Sequence, residues 1–335
     1  MGQIKNNSAN GTEYTRAYIY IFIGLLTFVL GVWIGVSFSK TTSTVNPVRE
    51  VDSGYNFISP LLFTDNLNPD TKDYRVLDGN LNTYINDAVS KGQVSKVSVY
   101  FRDLNSGHWM GINENDQYKP ASLLKIAILT AYLRQAEINP SILEQNLKAS
   151  PDSSDLDLVQ NYKSKNPIEL GKTYSVRNLL SSMIVNSDNN AMGLLAQNIS
   201  TSSIDVIYKD LQIPVIDGRV SNISPSLYSR FFRILYNSSY LSHAASESVL
   251  DLLSKTDFSV GLVAGVPAGT TVSHKFGENV SPDGSEVQLH DCGIVYYPSH
   301  PYFICVMTKG KDFGSLEKVI STISKTVWND VDGQN

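Results

Sequence analysis

The sequence predicts an α/β fold of the α+β sandwich kind. It would be an antiparallel sheet backed by helices from the two ends of the chain, with an all-helical lobe inserted in the middle. Three observations predict it. Two strand-like runs come early, "KVSVYFRDL" and "HWMGI", and three come late, "TTVSHKFGE", "QLHDCGIVYY" and "YFICVMTKG". Between them the chain reads as a succession of helices, and a further helical pattern lies at each end of the set. Strands that cannot cover their own apolar faces need such helices as a second layer.

Ahead of this fold, residues 1–16 form a short polar tail, expected on the cytoplasmic side. Residues 17–39, "AYIYIFIGLLTFVLGVWIGVSFS", carry no charge and are bracketed by Arg16 and Lys40. As a helix they would extend roughly 35 Å, enough for a hydrocarbon core of about 30 Å. Tyr14, Tyr18 and Tyr20 crowd one end and Trp33 and Phe38 lie toward the other, as interfacial aromatics do. The run is longer than the apolar part of a cleaved signal peptide and no A-x-A site follows. A single-pass membrane helix is therefore expected. Lys5 and Arg16 on one side balance Lys40 and Arg49 on the other, so charge alone does not orient it. Residues 40–75 are polar and irregular, a linker docking in part through "YNFISPLLF", and residues 76–330 form the folded domain.

Within that domain, Leu77, Leu81, Ile85 and Val89 recur at helical spacing. The two early strands alternate around an "NSG" turn. An apolar helix follows from 120 to about 136. Residues 138–173 are polar and charged, with weak helical pieces. "VRNLLSSMIV", "AMGLLAQNI", "SPSLYSRFFRILYN" and "SESVLDLLSK" are helical, and "LEKVISTISKTVW" closes the chain after the late strands. Cys292 and Cys305 fall in two adjacent late strands. They are either a disulfide, whose geometry neighbouring strands make demanding, or two buried thiols. The net charge of −5 argues against a nucleic-acid partner, which would call for a basic patch. His243, His274 and His290 lack metal-ligand spacing, so neither metal nor cofactor is expected.

The chemistry is concentrated in "KPASLLKIAIL". A helix apolar all round is a buried one, and a buried lysine is costly without a partner. Ser122 could be a helix cap, but a capping box wants Glu or Gln three residues on, and Lys125 has the wrong sign for the positive end of a helix. Residues three apart on a helix are neighbours. A serine hydroxyl becomes a nucleophile when an adjacent base takes its proton, and a lysine is such a base when burial lowers its pKa toward neutrality. Two more motifs follow in order: Ser187, Asp188 and Asn189 in "NSDNN", then Lys275, Phe276 and Gly277 in "SHKFGE". Each alone is a turn or a strand. In this order, on a helix, an interhelical turn and a strand, they match S-x-x-K, S-D-N and K-T-G.

With these motifs, residues 77–328 resemble the penicillin-recognising serine hydrolases, and class A β-lactamases most closely. The resemblance implies a five-stranded antiparallel sheet with flanking helices and a helical lobe, the active site lying between them. It implies Ser122 as the acylated nucleophile, Lys125 as its base and Ser187 as the proton relay to the leaving nitrogen. Asn189 would hold the substrate's amide carbonyl. Lys275 would draw the substrate carboxylate and help depress the pKa of Lys125. Gly277 would let the strand approach closely, and the backbone N–H groups of Ser122 and Glu278 would form the oxyanion hole.

Two features depart from the pattern. Phe276 stands where the family carries a hydroxyl that binds the substrate carboxylate, and Glu278 puts a negative charge beside a site meant for anions. The loop glutamate that activates the deacylating water is also missing. Between Asp188 and Lys275 the only glutamate is Glu247, in a later helix, and Asp217 reads as a turn residue in "DGR". The expectation is an acyl-enzyme on Ser122 with β-lactams or D-alanyl-D-alanine-type peptides, slowly hydrolysed. The alternatives are a D,D-peptidase or penicillin-binding protein, an esterase, and a non-catalytic cell-wall binder. Such substrates put the domain outside the cytoplasm of a bacterium, as a monomer held to the cell membrane through 17–39.

Overall fold

The computed structural model describes residues 10–38, 48–49, 54–63, 74–150 and 160–333. These fall into two units: helix α1 (Asn10–Phe38) alone, and everything from Val48 on.

Of the run expected to span a membrane, residues 17–38 are helical within α1, with Tyr18, Phe22 and Phe28 exposed, and Ser39 lies outside the described residues. The expected span is not found, however: among the described residues no helix is long and apolar enough to cross a membrane.

The second unit begins with a small pair, β1 (Val48–Arg49) and β2 (Leu61–Phe63). Between them the chain docks on the domain. Glu247 accepts the backbone N–H groups of Asn56, Phe57 and Ile58 at 2.7, 2.8 and 3.1 Å, and Ser59 N–H donates to the Tyr236 carbonyl at 2.9 Å. Helix α2 (Arg75–Ser90) buries Leu77, Leu81, Ile85 and Ala88, close to the expected set. Strands β3 (Lys96–Asp103) and β4 (Trp109–Ile112) follow, then α3 (Lys125–Ile138).

The polar stretch after α3 holds two very short strands, β5 (Asn146–Lys148) and β6 (Thr173–Ser175), which pair with each other. Then come α4 (Val176–Val185), α5 (Asn189–Gln197), α6 (Thr201–Asp210), α7 (Pro225–Tyr236) and α8 (His243–Ser254). Strands β7 (Val272–Val280), β8 (Val287–Val295) and β9 (Tyr302–Gly310) lead into the closing helix α9 (Phe313–Gly333).

The five long strands form one antiparallel sheet in the order β4-β3-β9-β8-β7, so β7 is an edge strand. One apolar core lies between the sheet and the helical lobe, around α3, α4, α5 and α7. The other lies between the sheet and α2 and α9. Both faces of β8 are thus covered, and each of its residues is buried. Cys292 and Cys305 stand directly opposite each other in the β8–β9 register and are joined by a disulfide, which decides between the two alternatives.

Candidate active site

Ser122 is half-buried in a single 3₁₀ turn, Ala121–Leu124, and α3 begins only at Lys125. The predicted helix from 120 is therefore tighter over its first turn. In a 3₁₀ turn residues three apart eclipse, which stacks Ser122 and Lys125 on one side. Ala121 has φ of +48°, a left-handed conformation costly for a residue with a Cβ. His290 fixes the run just before it. Its Nε2–H donates to the Lys119 carbonyl at 3.1 Å, its Nδ1 accepts from Thr308 N–H at 3.3 Å, and burial pushes its pKa down to about 4.

Lys125 is 1% exposed. Its Nζ donates to the Ser187 carbonyl at 2.6 Å, to Asn189 Oδ1 at 2.7 Å, and meets Ser187 Oγ at 3.2 Å. Because Asn189 spends its oxygen on the lysine, its amide N–H₂ is left to point elsewhere, as a donor for a carbonyl. Lys275 is buried completely, and its Nζ lies 3.0 Å from the same Ser187 Oγ and 3.1 Å from the Phe276 carbonyl. Burial pushes the Lys275 pKa down to about 7, against the opposing fields of Asp291, Asp257 and Glu278. All three motif segments therefore meet at the Ser187 hydroxyl.

The turn that presents Ser187 is itself constrained. Ser187 has φ of +52°. Asp188 caps α5 through Oδ1, accepting from Asn190 and Ala191 N–H at 2.9 and 3.3 Å. Its Oδ2 accepts Ile168 N–H at 2.7 Å and Ser182 Oγ–H at 3.0 Å. Gly277 is required for a different reason: a Cβ there would stand 3.0 Å from both the Pro120 carbonyl oxygen and Leu123 Cγ. Edge strand and Ser122 turn can touch only because that atom is missing.

The two departures sit on the other side of β7. Phe276 is 3% exposed and stacks on Phe258 with ring centroids 4.2 Å apart. The Glu278 carboxylate accepts Asn161 N–H at 2.9 Å and Tyr162 N–H at 3.0 Å, and burial raises its pKa. Asp217 lies exposed at the tip of a turn, with φ of +50° followed by Gly218 at +72°, as its "DG" sequence suggests. Glu247 is occupied with the docked segment described above. Among the described residues no three His, Cys, Asp or Glu side chains gather into a metal cluster. His274 instead pairs with Asp291, Nδ1 to Oδ1 at 2.8 Å, in full burial.

A sequence model of the beta-lactamase enzyme family matches residues 80–331. The chain belongs to that family. A search of curated proteins finds no match. Solved structures share the fold of this β-lactamase family member. PBP-A superposes with a TM-score of 0.63 at 21% identity, over 76% of this chain and 96% of its own. A β-lactamase from Chitinophaga pinensis gives 0.65 at 20% identity, over 75% and 99%. The TLA-3 extended-spectrum β-lactamase gives 0.66 at 19% identity, over 76% and 98%. The chain is thus a β-lactamase-like serine hydrolase in family and fold. Asp188 was named in the second motif but given no role, and Asn161 and Tyr162 were not singled out from the sequence. Only Asp188, inside a motif and just before a helix, carries a local signal, that of an N-cap.

Proposed function

We propose that this family member forms an acyl-enzyme on Ser122 with β-lactams or D-alanyl-peptide substrates and hydrolyses it slowly. The observation that carries the reading is the meeting of two buried lysines on one hydroxyl, Lys125 and Lys275 at 3.2 and 3.0 Å from Ser187 Oγ. Lys125, as a neutral amine, takes the Ser122 Oγ proton while that oxygen attacks the carbonyl. The developing oxyanion is met by the backbone N–H groups of Ser122 and Glu278. Asn189 N–H₂ holds the acyl amide. Ser187 gives its proton to the leaving nitrogen and is resupplied from the lysines.

Slow deacylation is supported by the acids available. Glu247 has both oxygens on the backbone of residues 56–58, and Asp217 is at an exposed turn. A neighbour of the same fold, a mutant of PBP-A, is known as an acyl-enzyme complex with penicillin G. A fluorescent penicillin followed by intact mass tests the reading: a lasting adduct on Ser122 supports it, rapid turnover of nitrocefin points to an efficient β-lactamase, and no covalent product points to a cell-wall binder. An esterase is the second reading, favoured by the ring at Phe276. In the main reading the domain works outside the cytoplasm, tethered by residues 17–39, whose charge-free sequence supports the tether. Protease treatment of intact cells checks this, since an extracytoplasmic domain is shaved off.

A further inference from the structure

We infer that Phe276 and Glu278 set the acyl-donor specificity of this site: given over to docking residues 160–168 on the edge strand, they disfavour donors with a carboxylate next to the scissile bond and favour uncharged ones. This rests on the acylation of Ser122 proposed above. Residues 276 and 278 alternate with Lys275 and Gly277 along β7, and the long stem of Lys275 brings its Nζ round to the Phe276 ring. Phe276 and Glu278 do the same job. The Phe276 ring receives Tyr162 edge-on at 5.8 Å, and Tyr162 also meets Phe258 at 5.0 Å and Phe313 at 5.6 Å. Glu278 takes the N–H groups of Asn161 and Tyr162, and the Tyr162 hydroxyl donates to Glu317.

From there the segment runs to the second motif. Lys165 reaches Asp257 at 3.6 Å, and Ile168 N–H ends on Asp188 Oδ2 at 2.7 Å. One short stretch of chain thus ties the edge strand to the turn that carries Ser187. Both departures from the motif have a single explanation: together they are the receptor for this segment.

The consequence for substrate follows from charge. A carboxylate seated beside Lys275 meets an aromatic ring at residue 276, which offers it no hydrogen-bond donor. It would also meet the fields of Asp291, Asp257 and Glu278, all of which reach Lys275. The Lys275 Nζ is itself drawn over the Phe276 ring, 4.1 Å from its centroid. Rings and fixed carboxylates reject an anion and tolerate a neutral group.

The test compares a matched pair on the full chain: benzylpenicillin, and its methyl ester, which differs only in lacking the charge. The second-order rate of Ser122 acylation is read by intact mass. The ester is expected to react faster by about tenfold or more. The Phe276→Thr/Glu278→Ser double substitution is expected to shift the ratio toward the free acid by a similar factor. Glu278→Gln, which keeps the shape of the side chain, is expected to shift it in the same direction. A wild-type preference for the free acid, or an unchanged ratio in both variants, overturns the inference while leaving the acylation reading intact. No adduct from either compound overturns both.

Discussion

Gly277 has no side chain because Pro120 and Leu123 stand where one would go. Gly277→Ala is expected to cost about 1–3 kcal/mol by overpacking against backbone, and to slow labelling of Ser122 by pushing its turn away. A urea midpoint and a labelling rate measured on one sample check both. Lys275 makes a pH prediction. Its folded pKa of about 7 lies below the unfolded 10.5, so between those values the unfolded chain holds more protons and stability rises with pH. Below pH 7 both states are charged and the dependence vanishes. Lys275→Met should flatten that rise and be more stable than wild type at pH 7, read from urea unfolding at pH 7 and pH 9.5. The motif residues Ser122, Lys125, Ser187, Asn189 and Lys275 were legible because their types and order are unusual for a buried helix, a turn and a strand. What joins Glu278 to Asn161 was not, since that contact spans 117 residues and nothing local in "FGE" or "QNY" announces it.

At the scale of elements, the long strands β3, β7, β8 and β9 and helices α2, α4, α7 and α9 were readable from periodicity. Helix α6 was not: it buries only Ile207 and Tyr208 among polar residues, too thin a stripe to stand out. Strands β5 and β6 escape for the opposite reason, at three residues each, where alternation cannot be seen. The predicted helix around Ser122 begins as a 3₁₀ turn because the edge strand crowds its first residues. Asp188 shows how one side chain organises several elements, capping α5 while binding α4 through Ser182 and the chain at Ile168. Asp188→Ala is expected to cost about 2–4 kcal/mol, and Asp188→Asn, which keeps an Oδ1 acceptor for the cap, to recover part of it. Urea unfolding of the two variants beside wild type checks the order.

Across the whole molecule, the two cores follow from five amphipathic or buried strands that need helices on both faces, which is why the fold class was legible before any site was. The docking of residues 54–60 was legible only as an apolar patch in a polar stretch, because its partner, Glu247, sits in a helix far along the chain. Glu247→Gln is expected to weaken three N–H contacts and cost about 1–3 kcal/mol, with faster proteolysis at residues 54–60 as the site-specific readout. That clamp also decides where mechanical force would enter. Tension transmitted along the polypeptide from its amino-terminal side would be taken up by Glu247, by the last turn of α7 and by Tyr296 just past the end of β8, which donates to the Phe57 carbonyl. Strain would be spent on these contacts before any of it reached the turn that carries Ser122.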